Sequence, residues 1–267
     1  MPPAFPIDSP GPGENVSRDE GQITIAKAHR DQQRTFECAA QAIVHRDGSC
    51  PGDPASFRVE IGNLESWAAQ TGALIPAEEV DQLGLVSNHT SEHEVFYRKH
   101  DDRAVKRTWP GVYGQIPVAM NGGLDRRNAT PSEYLTRMAL HIEAFASDIR
   151  LEGVTISDKP SMIIGQPAGQ PSIVISQRWY AKNGTATNED IHDLLVSEGF
   201  RAAPASYFGW FRPDDGVVIV DAKPDNFIQT PEGLMPIDLQ MAQFTPEQMK
   251  AANLTTDSSA PIIFIPR

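Results

Sequence analysis

An apolar run that ends abruptly in charged and polar residues is the feature that most restricts how this chain can fold. Val217–Val220 consists only of β-branched residues and is long enough for a buried strand. The polar residues 221–226 follow it directly, and two more short strands are predicted on either side of a turn at residues 231–233. The second of these strands ends at Asp238. The pattern predicts a strand, a polar loop and a hairpin, with aspartates where strands end.

Three side chains at these strand ends are suited to phosphoryl transfer: Asp221, Asn226 and Asp238. That reaction uses one carboxylate to orient the attacking hydroxyl and two oxygen ligands to hold Mg²⁺ on the phosphates. A purely structural interpretation is also open, because Asp, Pro and Asn favour turns through local hydrogen bonds. Asp238 could likewise do no more than end a strand.

The motif around Asp221 resembles a known catalytic loop. Asp221-Ala-Lys-Pro-Asp-Asn226 is similar to the Asp-Leu-Lys-Pro-Glu-Asn core of protein kinases, with the same interval from aspartate to asparagine. Asp238-Leu-Gln240 resembles the position of the Asp-Phe-Gly magnesium aspartate. Upstream, Ala104-Val-Lys106 resembles the Val-Ala-Ile-Lys strand and lies in a predicted hairpin of residues 94–98 and 104–108.

Over roughly residues 86–245 the chain resembles the protein-kinase-like superfamily, in particular the abbreviated Ser/Thr/Tyr kinase-like domain of bacterial and phage polyvalent proteins. The resemblance implies an α+β, two-lobed protein-kinase-like fold with an abbreviated C-terminal lobe and a short helical N-terminal extension. The expected division is a disordered Pro-rich tail (1–20), the helical extension (21–85), an N-lobe (86–176) and a C-lobe (177–267).

The resemblance also implies a role for each motif residue, with ATP and Mg²⁺ as cofactors. Asp221 would accept the proton of the substrate hydroxyl, and Lys223 would neutralise the transferred phosphoryl group. Asn226 and Asp238 would bind Mg²⁺. Lys106 would contact the α- and β-phosphates.

Two further nucleotide-site residues are expected from their place in this series. Gln177, just after a predicted strand that ends at Ser176, is expected to be the hinge whose backbone meets adenine. The resemblance to kinases also implies a glutamate that pairs with Lys106, and Glu143 is the candidate. Glu133 is not, because Thr130-Pro-Ser-Glu133 has the pattern of a capping box that starts a helix.

The sequence departs from the kinase pattern at several points. Ser91-Glu-His-Glu94 stands where a Gly-rich loop is expected, and Ile219-Val220 replaces the His-Arg before the catalytic aspartate. The expected function is an ATP/Mg-dependent phosphotransferase acting on a hydroxyl acceptor, either protein Ser/Thr/Tyr or a small molecule. The alternative is a pseudokinase, an interaction module that binds nucleotide without turnover.

Charge and hydropathy exclude other classes of partner. The net charge of −12 repels phosphate backbones and anionic lipid, so neither nucleic acid nor a membrane surface is expected as a partner. No apolar stretch approaches the roughly 20 residues of a membrane helix, and residues 1–6, Met-Pro-Pro-Ala-Phe-Pro, do not have the basic and then apolar pattern of a secretory signal. A cytoplasmic protein is expected, with a nucleotide and an unknown hydroxyl-bearing substrate as its partners.

Local patterns predict the remaining elements. Helices are expected near residues 23–44, 63–70, from Thr130 onward and at 188–198, a strand pair at 161–164 and 172–175, and a long loop at 109–129.

Overall fold

The computed structural model describes residues 18–44, 54–87, 92–158, 168–181, 184–204 and 206–254. These residues form a mixed α+β protein with antiparallel sheets. The helices are α1 (Arg18–Ile43), α2 (Pro54–Thr71), α3 (Ala77–Asp81), α4 (Pro131–Phe145), α5 (Asn188–Ser197) and α6 (Pro246–Ala251). The strands are β1 (Gly84–Ser87), β2 (His93–Arg98), β3 (Arg103–Thr108), β4 (Gln115–Met120), β5 (Gly123–Asn128), β6 (Ile149–Ile156), β7 (Pro171–Arg178), β8 (Arg201–Ala202), β9 (Trp210–Phe211), β10 (Val217–Val220), β11 (Phe227–Thr230), β12 (Gly233–Pro236) and β13 (Gln240–Gln243).

The larger sheet has the strand order β1-β2-β3-β7-β6. Helix α4 packs with α1 and α2 into one core against this sheet, and Phe36, Leu64 and Ile173 are fully buried there. Close backbone approach also attaches the N-terminal helices to the sheet edge. Gly153, at φ +152°, has no Cβ to collide with the carbonyl oxygen of Ala73, which accepts a hydrogen bond from Val154.

A smaller sheet has the order β13-β10-β9-β8, and two separate hairpins, β4–β5 and β11–β12, accompany it. The core between this sheet and α5 contains Leu195, Val217 and Ile219, all buried. Strand β10 lies between β13 and β9, and all four of its side chains are buried apolar groups. The polar loop that follows β10 therefore begins at a strand that is held in the core.

Several sequence predictions are confirmed. The hairpin of residues 94–98 and 104–108 is β2–β3, paired in register from His93–Thr108 to Arg98–Arg103. Helix α4 begins with the predicted capping box, since the Thr130 side chain accepts from the Glu133 amide and the Glu133 carboxylate accepts from the Thr130 amide. The helices expected near residues 23–44 and 188–198 are α1 and α5.

Other predictions are wrong or incomplete. The expected loop at 109–129 contains β4–β5, whose turn residues Asn121 and Gly122 both have positive φ, as a type I′ turn requires. Strand β7 lies between β3 and β6, and β6 was not predicted; residues 161–164, the expected partner strand, lie outside the described residues. The division into tail, extension and two lobes stays a prediction; α1 begins at Arg18, and positions 85/86 and 176/177 lie within β1 and β7.

None of the helices in the described part of the chain combines the length and the apolar character that crossing a membrane would require.

Candidate functional site

The loop after β10 folds around Asp221. This residue has a φ of +62°, a left-handed conformation that Asp and Asn tolerate better than most side chains. Residues Pro224–Asn226 then form one turn of 3₁₀ helix. The Asn226 amide donates to the Asp221 carbonyl at 2.7 Å and to its Oδ2 at 3.0 Å, which fixes the Asp221 carboxylate over the loop.

Two cations face the Asp221 carboxylate. The Lys223 Nζ lies 3.1 Å from Oδ2, and a guanidinium nitrogen of Arg126, from β5, lies 3.7 Å from Oδ1. Since Oδ2 also accepts from Asn226, Oδ1 is the less occupied oxygen. This oxygen can accept a further hydrogen bond from a bound ligand.

Lys106 is connected to this loop through backbone groups. It is buried in the middle of β3, and its Nζ donates to the carbonyl of Ile237 at 2.7 Å. The amide of Ile237 in turn donates to the carbonyl of Asn226 at 2.9 Å. A continuous path of hydrogen bonds thus runs from Lys106 through Ile237 and Asn226 to Asp221.

Asp238, the next residue along, is partly exposed and lies beside a second buried cation. A guanidinium nitrogen of Arg137, on α4, is 3.5 Å from Asp238 Oδ1. Burial alone would raise the pKa of the Asp238 carboxyl, but the charges of Lys106 and Arg137 outweigh it and lower this pKa to about 2. Asp238 is therefore an anion at any physiological pH.

Arg137 is itself paired with Glu92, an interaction that sequence reasoning missed. Arg137 is fully buried, forms an ion pair with both oxygens of Glu92 and donates to the carbonyl of Gln115 at 3.1 Å. The Glu92 carboxylate occupies the space beside Gly114, where any Cβ would overlap it. The signal in the sequence was a charge on the apolar face of a helix: Arg137 lies at i+3 from Tyr134 and i−4 from His141, both buried.

Glu143 is not the partner of Lys106. It lies on the exposed face of α4, where its carboxylate accepts from Gln33 at 3.5 Å. The reason is helix geometry, because six residues at 100° each turn Glu143 well away from the buried side that carries Arg137. The predicted Lys106–Glu143 pair is therefore wrong.

Gln177 does not follow a strand but lies within β7, one residue before its end. Its backbone partner on β3 is Ala104. Because the Trp179 amide donates to Asp102, the alternation of an antiparallel ladder places Gln177 and Ala104 in a hydrogen-bonded pair. The backbone of Gln177 is therefore occupied within the sheet and cannot serve as the predicted hinge. Its side chain still faces the site.

A small cavity joins these side chains. It is lined by His93, Lys106, His141, Gln177 and Asp238 together with apolar residues, and its volume is about 10 Å³. That volume holds about one water molecule. The Asp238 side chain is 32% exposed, so this carboxylate is accessible from the solvent.

The side-chain oxygens of Asn226 and Asp238 suit Mg²⁺ better than the nearby group of Glu92, His93 and Asp238 does. Asp238 and Asn226 offer a carboxylate and an amide oxygen, which are hard ligands of the kind Mg²⁺ prefers. Ligand atoms of Glu92, His93 and Asp238 also lie within 4.8 Å of one another. Arg137 is ion-paired to Glu92 and close to Asp238, so a cation among these three would meet a fixed positive charge.

The buried histidine of the cavity predicts a pH dependence of stability. Burial, aided by the charge of Lys106, lowers the pKa of His141 from 6.5 to about 3. Below pH 6.5 the unfolded chain takes up a proton on this residue that the folded protein does not. The full free energy of unfolding is therefore present above this pH and decreases as the pH falls. The free energy of unfolding should drop by about 1.4 kcal/mol per pH unit from this residue.

Urea unfolding at pH 7.5 and 5.5 measures this loss. His141→Asn should remove that part of the difference between the two pH values, whereas His100→Asn, at an exposed turn, should leave the difference as it is. An equal difference in wild type and His141→Asn would contradict the assignment. Burial also lowers the pKa of His93, so a remaining dependence of the same sign is expected.

We compared the chain with protein-family models, with curated proteins and with solved structures, and none of the three comparisons found a match. A function for this site is therefore argued from its residues and their geometry. The side chains gathered there are Asp221, Lys223, Asn226, Lys106 and Asp238.

Proposed function

We propose that the protein is an ATP- and Mg²⁺-dependent phosphotransferase that moves the γ-phosphoryl group of ATP to a hydroxyl acceptor. The observation that carries the proposal is the hydrogen-bonded path from Lys106 through Ile237 and Asn226 to Asp221. This path connects Lys106 on β3 with the loop that carries Asp221, more than a hundred positions later in the chain. The sequence motifs relate these residues only through their resemblance to kinases.

The residues divide the reaction between them. Asp221 orients the acceptor hydroxyl and takes its proton, and Lys223, 3.1 Å away, neutralises charge on the transferred group. Asn226 and Asp238 would hold Mg²⁺, which screens the phosphate charges when bound. Lys106, whose Nζ donates to the Ile237 carbonyl, would contact the α- and β-phosphates.

We also propose that the fold is a two-lobed kinase-like fold with an abbreviated C-terminal lobe. The five-stranded sheet with α4 would be the N-lobe, and the four-stranded sheet with β11–β12 would be the C-lobe. Lys106 comes from the first of these units, and Asp221, Asn226 and Asp238 come from the second. This arrangement supports a nucleotide site at their junction.

A pseudokinase remains the second candidate, and one observation favours it. Arg137 lies 3.5 Å from Asp238 and so competes with Mg²⁺ for this carboxylate. A protein that binds nucleotide without turnover would tolerate such a cation. Binding and turnover must therefore be measured separately.

Nucleotide binding is the first test. Isothermal titration of wild type with ATP should show Mg²⁺-dependent binding at millimolar ATP or below. Lys106→Met should weaken binding by roughly 10- to 100-fold, because a hydrogen bond to a charged group contributes about 1.5–3 kcal/mol. Lys250→Met, an exposed lysine on α6, is the matched control and should bind as wild type does.

Lys106 is buried, so the unfolding temperature of Lys106→Met is measured alongside to show that the variant is folded. Wild type that binds no ATP at millimolar concentration with Mg²⁺ present would refute both the phosphotransferase and the pseudokinase.

A further inference from the structure

The hairpin β4–β5 connects the two sheets and was not foreseen from the sequence. It follows β3 and precedes α4, yet it packs against β10, β13 and α6. Ala119 and Leu124 contact the apolar cluster around Phe211 and Val218, and the Asn253 side chain donates to the carbonyl of Gly122 at 2.7 Å. The hairpin is therefore held on the smaller sheet, beside the loop that carries Asp221.

This hairpin carries Arg126 to the Asp221 carboxylate. Its guanidinium is 3.7 Å from Asp221 Oδ1, beyond hydrogen-bond distance, and its side chain is 47% exposed. Lys223 and Asn226 occupy the other oxygen. The guanidinium thus lies next to the oxygen where an acceptor hydroxyl would bind, and its donors are largely available.

We propose that Arg126 is a further catalytic residue, whose guanidinium binds oxygens of the γ-phosphoryl group during transfer. The inference rests on the proposed phosphotransferase function and goes beyond the motif residues. In the step, the acceptor oxygen forms a bond to phosphorus and the bond from phosphorus to the bridging oxygen of ADP breaks. The electron pair of that bond leaves with ADP, and the hydroxyl proton passes to Asp221.

The chemistry of the site explains why a second cation is useful there. Charge on the equatorial oxygens of the phosphoryl group must be stabilised while it lies between donor and acceptor. A planar guanidinium donates two parallel hydrogen bonds to such oxygens, which the single ammonium of Lys223 cannot do. Residues 92–94, which the structure describes, are Glu-His-Glu and contain no glycine. They therefore form no Gly-rich segment whose backbone amides could stabilise the phosphoryl oxygens in place of a guanidinium.

Kinetics of Arg126 variants tests the inference. Arg126→Ala should lower kcat for Mg-ATP turnover by about 100-fold or more, the range found when one stabilising donor is removed, while KM for ATP changes by less than about threefold. Arg126→Lys should recover part of kcat. Added guanidinium ion at low concentration should partly rescue Arg126→Ala, because the side chain it replaces is open to solvent.

Arg150→Ala is the matched control. Arg150 is 49% exposed and pairs with Asp148 at 3.3 Å, so it resembles Arg126 in exposure and partner but lies at the start of β6. This variant should keep wild-type kcat and show no response to guanidinium. Unchanged or higher kcat in Arg126→Ala, a change confined to KM, or no rescue would each overturn the role of Arg126. Wild type without Mg-ATP turnover would overturn the phosphotransferase proposal itself, and the inference with it.

Discussion

Asp221→Asn is expected to lower Mg-ATP turnover by about 10²- to 10⁴-fold, the usual contribution of a positioned general base. The amide keeps the shape of the side chain and tolerates the left-handed backbone at this position, where φ is +62°. It removes the charge and the basic oxygen that faces Arg126. ATP binding should persist, because the substitution leaves the proposed phosphate contact, Lys106, and the proposed Mg²⁺ ligands, Asn226 and Asp238, unchanged.

Single-turnover measurements with purified protein and labelled ATP check this expectation. Asp225→Asn is the matched control, since Asp225 is an exposed carboxylate of the same loop, and it should turn over as wild type does. If Asp221→Asn binds ATP and retains wild-type turnover, Asp221 is not the general base and the role proposed for it is wrong.

The parts of the fold that could be predicted are those specified by neighbouring residues. The capping box at Thr130 needs only the chemistry of residues 130–133, and the β2–β3 hairpin needs only two short alternating runs and a polar turn. The grouping of Asp221, Asn226 and Asp238 also follows from local structure. Asp221 follows the buried strand β10, and the short hairpin β11–β12 lies between Asn226 and Asp238 and brings the chain back.

The parts that could not be predicted depend on pairs distant in sequence. Pro117 and the charged residues of β5 obscured the β4–β5 hairpin, although the Asn121-Gly122 dipeptide is a strong turn signal. No local rule indicates that Glu92 meets Arg137, which is 45 residues away. An acidic partner for Lys106 was expected on α4, but α4 contributes a buried arginine, and Lys106 donates to the backbone carbonyl of Ile237.

The buried pair itself gives the largest expected change in stability. Arg137→Met should lower the free energy of unfolding by about 3–5 kcal/mol, because it leaves the Glu92 carboxylate buried without its partner. The Arg150→Met control should change stability by no more than about 1 kcal/mol, as is usual for an exposed pair. Urea unfolding at pH 7.5 measures both.

A double-mutant cycle separates the ion pair from the packing of the two side chains. Glu92→Gln with Arg137→Met removes both charges, so the double variant should be more stable than Arg137→Met alone. Additive effects would show that the two charges do not depend on each other.

Loss of Arg137 also removes one cation beside Asp238. The pKa of the Asp238 carboxyl should therefore rise in Arg137→Met, and a carbon-detected NMR titration of that carboxyl measures the change. An unchanged pKa in this variant would contradict the contribution of Arg137.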